Sequence, residues 1–309
     1  MFGNILVIAN PAARSGKATQ VAAQMASVLN RIKAHTPSEI ETYSFHYTVA
    51  PKDATSFVKH QGSRFTTVLA IGGDGIINEV VNGLMAIPEV NRPRFGVIPC
   101  GNGDDFARTI GLDRNPTKSL QQFESHTLTP KRIDVACANG HWYLETLSFG
   151  LDAAIALGTQ DLRTKTKRTG TSLYLQCGLD QLKNHRDIYN ATMKLDSDDP
   201  QTLTFYLLAI QNGISYGGGF KICPQAHLND GLLDICYAEP SLSFSAAAKL
   251  FLKAKEGKHL NDSHIHFAQA KQIQLNFEKP LPSQIDGERF EGTQVSIEIA
   301  PGALEVLMP

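Results

Sequence analysis

Two short stretches of this 309-residue chain combine glycine with acid in a way that suits phosphate chemistry: Gly72-Gly73-Asp74-Gly75 and Gly101-Asn102-Gly103-Asp104-Asp105. Glycines let a backbone approach a phosphate chain and turn N–H groups toward it, and a helix that starts just beyond adds partial positive charge. A carboxylate beside phosphates is repulsive unless it holds Mg2+ or a lysine, or bonds a hydroxyl, so Asp74 points to one of those roles. Gly-Gly-Asp-Gly alone is equally a tight turn. The second acidic glycine turn tips the reading toward a ligand. Asp286-Gly287 and Asn229-Asp230-Gly231, taken alone, read as turns. His264 and His266 share a strand face with no Cys or acid at metal spacing, so they read as surface or satisfied histidines rather than a zinc site.

The elements that must position these turns follow from hydrophobic period. Strand-like runs at Asn4–Ala9, Glu39–Tyr47, Thr66–Ile71 and Phe95–Ile98 alternate with helical stretches at Lys17–Lys33 and Asp53–His60. Ile76, Ile77, Val80, Val81 and Leu84 make one apolar helix face directly after the first glycine turn, and Phe106, Ala107 and Ile110 make a shorter one after the second. That alternation is the pattern of a parallel sheet with crossover helices, whose ligands bind at the carboxyl edge of the strands. Beyond Lys131 the texture becomes strand-rich: Ile133–Ala138, Trp142–Phe149, Asn190–Leu195, Thr202–Ile210, Leu232–Tyr237, Gln272–Phe277, Val295–Ile299 and Leu304–Leu307, with helices at Ser172–Asn184 and Ser243–Lys255. The expectation is an α/β nucleotide-binding domain over residues 1–131 and a mainly antiparallel β domain over residues 132–309, with an active site in the cleft between them.

Composition narrows the class. The chain is 42% hydrophobic and 19% charged, the balance of a folded globular protein. Its net charge of −1 recruits no polyanion, so nucleic acid is not the expected partner. Five scattered cysteines without CxxC spacing argue against a disulfide framework and for a reducing cytoplasm. The N-terminus lacks a basic region and a long apolar run, and the apolar run Phe205–Ile210 falls short of the ~20 residues of a membrane span. No transmembrane segment is expected.

Gly72-Gly73-Asp74-Gly75-Ile76-Ile77-Asn78-Glu79-Val80-Val81-Asn82-Gly83-Leu84 resembles the nucleotide-binding signature of the diacylglycerol kinase catalytic-domain family, in its bacterial lipid-kinase branch. Asn10-Pro11 with Ser15-Gly16-Lys17 resembles the family's first strand-to-helix turn. Thr48 before Lys52-Asp53-Ala54 resembles its second-strand exit, and Pro99 to Arg108 its second glycine loop. Gly150-Leu151-Asp152-Ala153, Asn212-Gly213 with Gly217-Gly218-Gly219, Pro224 to Asp234, and Ile285-Asp286-Gly287-Glu288 follow the pattern of its second domain. The likeness covers nearly the whole chain in order. Two positions depart from it: Ile76 stands where threonine is usual, and Asn102-Gly103-Asp104 replaces Thr-x-Asn, which removes a hydroxyl and adds a carboxylate at the presumed nucleotide site.

The resemblance implies an NAD kinase-like three-layer fold followed by a β-sandwich, and transfer of the γ-phosphate of ATP, with Mg2+, to a lipid hydroxyl, most plausibly on diacylglycerol or a related glycerolipid. It assigns ATP contacts to Asn10, Pro11, Thr48, Gly72, Gly73, Asp74, Gly75, Ile76, Ile77, Asn78, Glu79, Gly101 and Asn102. It makes Asp286 the base, Glu288 its helper, and Asp74 and Asp105 neighbours of Mg2+. Asp105 alone is equally a favourable acid at a helix start. A structural Mg2+ loop is implied at Asp230 with backbone oxygens near Leu233 and Ile235. The expected protein is cytoplasmic and peripheral to the membrane, and a homodimer is one expected form. Arg163, Lys165, Lys167 and Arg168, and the mixed apolar and basic stretch Leu242–Leu260, could touch an anionic leaflet or equally be a solvated loop and a packed helix. Two alternatives stand beside the lipid kinase: an NAD kinase, which shares Gly-Gly-Asp-Gly, and a nucleotide- or lipid-binding protein without turnover.

Overall fold

The computed structural model describes residues 2–166, 168, 171–184, 187–240 and 242–309, the side chains of Ser15 and Thr171 excepted. The chain divides into two compact units: Met1–Ile133 with Gly302–Pro309, and Asp134–Pro301.

Unit one runs β1 (Gly3–Ala9), α1 (Lys17–His35), β2 (Ile40–Tyr47), α2 (Asp53–Gln61), β3 (Thr67–Gly72), α3 (Asp74–Met85), β4 (Arg94–Pro99), α4 (Asp105–Thr109) and α5 (Pro116–Glu124). α1 buries Val21, Met25, Val28 and Ile32, a stripe at three- and four-residue spacing. β3 and β4 are buried almost end to end, as strands covered on both faces must be. The strands pair in parallel in the order β2-β1-β3-β4, and the end of the chain adds a further parallel strand beside β4, with Val306 opposite Phe95. From β1 the chain steps outward to β2, then returns past β1 to β3. The topological switch point therefore lies between β1 and β3, the place where open α/β sheets take ligands.

Unit two carries the second half of β5 (Thr129–Ala138), then β6 (His141–Tyr143), β7 (Thr146–Gly150), α6 (Leu151–Thr166), α7 (Thr171–Asn184), β8 (Tyr189–Leu195), β9 (Gln201–Phe205), β10 (Leu207–Gln211), β11 (Leu233–Ala238), α8 (Phe244–Lys255), β12 (Ile265–Ala270), β13 (Gln272–Phe277), β14 (Ser283–Ile285), β15 (Glu288–Arg289) and the first part of β16 (Gln294–Met308). One sheet contains β5, β6, β16, β13, β8 and β9; the other runs β12-β11-β10-β7-β14-β15, antiparallel at every pairing. Phe149, Leu208, Ile210 and Ile235 of the second sheet share a core with Phe205, Ile273, Leu275 and Ile297 of the first. The opposite face of the second sheet, with Ala209 and Cys236, packs under α6, α7 and α8. Strands β10 and β11 are therefore apolar on both faces, which is why their sequences do not alternate.

The elements differ from the sequence reading at several places, helix α5 and strands β12, β14 and β15 among them. Trp142–Phe149 is two strands, because the amides of Leu144, Glu145 and Thr146 turn to the Asp286 carboxylate at 2.9, 3.0 and 2.9 Å. Thr202–Ile210 is likewise two strands, since the chain changes sheets at Tyr206, whose N–H donates to the Ala238 carbonyl at 3.0 Å. The runs at Val295 and Leu304 belong to one strand, β16. Helix α6 was not predicted: its buried Leu151, Ala153, Ile155 and Leu157 recur every second residue, a pattern that hides a helix.

Candidate active site

The two glycine turns of unit one interlock. The Cys100 N–H donates to the Gly72 carbonyl at 2.7 Å, which brings the carboxyl ends of β3 and β4 together. A Cβ on Gly73 would stand 2.8 Å from Gly101 Cα, and one on Gly101 would stand 2.4 Å from Gly73 Cα. Real Cβ atoms do not approach that closely, so this backbone contact requires glycine on both sides. Asn10, at the end of β1, donates its N–H to the Ile71 carbonyl at 3.4 Å and accepts the Ala12 N–H on its side-chain oxygen at 2.9 Å. Thr48, at the exit of β2, donates its N–H to the Ala9 carbonyl at 3.0 Å. The predicted nucleotide contacts at Asn10, Pro11, Gly72, Gly73 and Gly101 thus gather at the ends of β1, β3 and β4. Gly75 and Asn102 are exposed, whereas Ile76 and Ile77 are buried, and Ile76 Cγ2 lies 2.4 Å from where a Gly72 Cβ would stand. At Ile76 the side chain seals the turn from below. Glu79 accepts the Ala54 N–H at 3.2 Å and its carbonyl accepts the Thr55 hydroxyl at 2.9 Å, so it also ties α3 to α2.

Three acids shape the second turn. Asp74 begins α3, and its Oδ1 accepts the N–H groups of Asp105 and Phe106 at 2.9 and 3.4 Å, which caps α4 from outside. Asp74 and Asp105 stand close: their Oδ2 atoms lie 2.9 and 3.1 Å from where a Gly103 Cβ would be. Arg108 Nε is 3.7 Å from Asp105 Oδ1. Two carboxylates so arranged are an oxygen donor set that suits a hard cation such as Mg2+. Asp104, the carboxylate that departs from the family pattern, is buried in the left-handed conformation (φ 50°) and accepts the Gly101 N–H at 2.7 Å. Burial pushes Asp104 up, while the Gly101 N–H, Arg14 and Arg114 pull it back. Arg14 and Lys17 also act on the Cys100 thiol against its burial, so positive charge stands beside the glycine turns.

In unit two, Asp286 and Gly287 form the two-residue turn between β14 and β15 with φ 44° and 88°, the type I′ geometry that the sequence alone suggests. The turn reaches inward as well. The three amide bonds from Leu144, Glu145 and Thr146 fix the Asp286 carboxylate, and its own N–H donates to the Thr146 carbonyl at 2.8 Å. Gln160 of α6 donates to the Gly287 carbonyl. Tyr143 is fully buried, and burial together with Asp286 pushes its hydroxyl well up. Glu145 is buried, and its carbonyl accepts the N–H groups of Asn212 and Gly213 at 3.0 and 3.1 Å. Asn212 donates to the carbonyls of Asp134 and Leu144 at 3.1 and 2.9 Å, so the Asn-Gly motif braces the segment that holds Asp286. Sequence reading noted that motif without finding this role, because its partners lie some 70 residues away (|i−j| of 78 and 68).

Other predicted residues lie apart from these clusters. Glu288 is exposed on β15. Asp230 accepts the Leu232 N–H at 3.0 Å within its own turn, and Gly231 donates to Asp134 at 2.7 Å. Leu233 and Ile235 sit in β11, which pairs with β10 and β12. His264 and His266 pair with Asp262 at 3.0 Å and Glu239 at 2.7 Å. Among the described residues no three His, Cys, Asp or Glu side chains gather as a metal site. Lys167 and Gly170 lie outside the described residues, and Arg168 bonds Gln176 at 3.2 Å.

An apolar cavity opens under α6, α7 and α8, lined by Leu151, Ile155, Tyr174, Phe220, Leu250 and Phe251 among others. Its polar exceptions include Asp152 and His259. Asp152 is pushed up to about 6 by burial, against hydrogen bonds from Ser148, Tyr216 and Tyr174. No helix among the described residues is long and apolar enough to cross a membrane.

Residues 4–137 match the sequence model of the "Diacylglycerol kinase catalytic domain", and residues 145–308 that of the "YegS C-terminal NAD kinase beta sandwich-like domain". A diacylglycerol kinase of Bacillus subtilis is 31% identical over 79% of this chain and 78% of its own. A protein of Chromohalobacter salexigens named "probable lipid kinase YegS-like" is 29% identical over 78% of this chain and 76% of its own. The crystal structure of a diacylglycerol kinase from Bacillus anthracis has the same fold, with a TM-score of 0.81 at 24% identity over 100% of this chain and 98% of that one. An NAD kinase from Archaeoglobus fulgidus, solved with ATP, is more distant at a TM-score of 0.50 and 10% identity, over 99% of this chain and 92% of that one.

Proposed function

Because the chain belongs to the diacylglycerol kinase catalytic-domain family and is a lipid kinase of that family, we propose that it transfers the γ-phosphate of ATP to a hydroxyl of diacylglycerol or a related glycerolipid. The observation that carries the nucleotide half is the interlocked pair of glycine turns at the ends of β3 and β4, beside the switch point. Their amides, with the N-terminus of α3 and the charges of Arg14 and Lys17, cradle the phosphates. Asp74 and Asp105 would hold Mg2+, which when bound offsets phosphate charge.

The acceptor half belongs to unit two. The acceptor hydroxyl loses its proton to Asp286 as its oxygen attacks the γ-phosphorus and ADP leaves, and the amides of residues 144–146 keep that carboxylate in one orientation. The hydrocarbon of the acceptor enters the apolar cavity. Phe244 and Leu252 are exposed on α8, the helix that carries Lys249, Lys253 and Lys255, and this helix meets the surface of an anionic membrane.

The test is transfer of labelled γ-phosphate from Mg-ATP to a lipid panel in mixed micelles, with NAD as a further acceptor. Label in a glycerolipid is the expected result. Label in NADP instead would move the chain to the NAD kinases, and ATP binding without any transfer would leave a binding protein. Asp286→Asn is expected to lose at least about 100-fold in rate if Asp286 is the base. Its amide also points an N–H at backbone donors, so the melting temperature is read alongside. Full activity in a folded Asp286→Asn protein would remove Asp286 from the chemistry.

A further inference from the structure

A single carboxyl interrupts the apolar wall of the cavity in unit two. Asp152 lies in the first turn of α6, and Leu151, Ile155, Phe220, Leu250 and Phe251 stand with it around the space. The chain reaches it through Gly150, where a φ of 76° turns β7 sharply into α6 and a Cβ would stand 2.4 Å from the Tyr206 carbonyl oxygen. Asp152 is only 3% exposed. An acid in the first turn of a helix ordinarily meets the free amides there. Asp152 does not. Its Oδ1 accepts the Tyr174 hydroxyl at 3.4 Å, and its Oδ2 is buried with no hydrogen-bond partner among the described residues. Ser148 and Tyr216, the other hydroxyls that favour its charged form, stand outside hydrogen-bond geometry of that oxygen. An unpaired oxygen in such a wall costs the empty fold stability, and a donor brought by a ligand would relieve the cost.

Given that the hydrocarbon of the acceptor enters this cavity, as proposed above, we infer that the cavity selects a chain that carries a hydroxyl, with Asp152 Oδ2 as the acceptor of that hydroxyl. The walls suit a chain: Phe220 has the rings of Tyr174 and Phe251 each at a centroid distance of 4.9 Å, and the rest of the lining is mostly aliphatic. A hydroxyl supplies the donor that Oδ2 lacks and adds no charge, whereas an ammonium would have to shed its water to enter an apolar wall. Burial pushes the carboxyl up to about 6, so at pH 7 it is largely ionised and the bond to a hydroxyl is charge-assisted. A plain chain leaves Oδ2 unpaired, and that is the loss by which a polar site rejects an analogue without the polar group. The space is about 70 Å3, against the ~10–15 Å3 that one water needs. It admits the hydroxyl-bearing segment as it stands, and a full chain on widening.

His259 is the other group on this wall with a free polar atom: its Nε2 lies 2.9 Å from the Ile222 carbonyl, and its Nδ1 has no hydrogen-bond partner among the described residues. A neutral ring nitrogen is the weaker acceptor of the two, and a His259 variant separates them.

The test uses the whole protein, stripped of lipid and without ATP. Monostearoylglycerol and its forms hydroxylated at successive positions along the chain compete with a dansyl-labelled fatty acid. One hydroxyl position should bind about 10- to 100-fold more tightly than the plain chain. The ratio should fall to about one in Asp152→Leu, where the acceptor is gone, and be partly kept in Asp152→Asn, whose amide oxygen still accepts. Equal affinity at every position in the wild-type protein would overturn the inference and leave Oδ2 to a buried water. Loss of the preference in His259→Phe with Asp152→Leu unaffected would overturn it too, as would a probe that none of the glycerides displaces. The binding ratio involves no phosphoryl transfer, so the kinase reading can fail in the labelled-phosphate assay while the ratio stands, and the ratio can fail while labelled lipid still forms.

Discussion

Asp152 is a carboxyl group placed in an apolar wall, and its burial raises it from 3.8 to about 6. Below about pH 4 it is protonated in the folded and unfolded chains alike and costs nothing. As pH rises, the unfolded chain ionises first, while the fold must ionise the group inside the wall. Stability is therefore lost between about pH 4 and 6 and stays lost at pH 7, by about 3 kcal/mol. Urea unfolding at pH 4 and pH 7 should show that the difference between the two pH values shrinks in Asp152→Asn, and an unchanged difference would place the carboxyl in water. Asp104 and Asp234 shift in the same direction through burial, so the comparison between variant and parent isolates Asp152. Asp286 shows the opposite use of a carboxylate. Three backbone N–H groups meet it, and their directions fix where a proton could be accepted.

At the scale of elements, the glycine turns owe their shape to side chains that reach across from neighbouring helices. Helix α4 has five residues, too short to hold itself, and its first amides are satisfied by Asp74 at the start of α3 rather than by its own N-cap residue, Asp104. Asp104 instead turns back to the Gly101 N–H. Asp74→Ala should therefore loosen α4 by roughly 0.5–2 kcal/mol and weaken ATP binding as well. Calorimetric unfolding and ATP titration of the same variant check both parts, and an unchanged melting temperature would mean that the cap contributes nothing. The break between β6 and β7 has the same logic, since a strand cannot keep its ladder where its amides serve a carboxylate.

At the scale of the whole molecule, β16 runs through residues of both units, and its last residues complete the parallel sheet of unit one. Leu307 is buried, with its Cδ1 3.3 Å from where a Gly96 Cβ would be. Leu307→Ala should cost unit one about 2–5 kcal/mol, read as a lower urea midpoint, although it lies more than 200 residues from its strand neighbours in β4 (Arg94 to Glu305, |i−j| of 211). The alternation of strands and helices, the glycine turns and the order of the motifs were legible in the sequence, because each depends on residues within one or two turns of chain: Gly72 to Leu84 carries both its turn and its helix face. The second sheet was less legible, since strands covered on both faces lose their alternation and α6 buries every second residue over its first turns. What only the tertiary structure decided is which distant groups meet. Gly73 touches Gly101, Asp74 caps α4, and Asn212 braces the backbone that holds Asp286. Local period determines which residues form an element, but a contact across many tens of residues is set by how the elements pack, and no spacing along the chain encodes it.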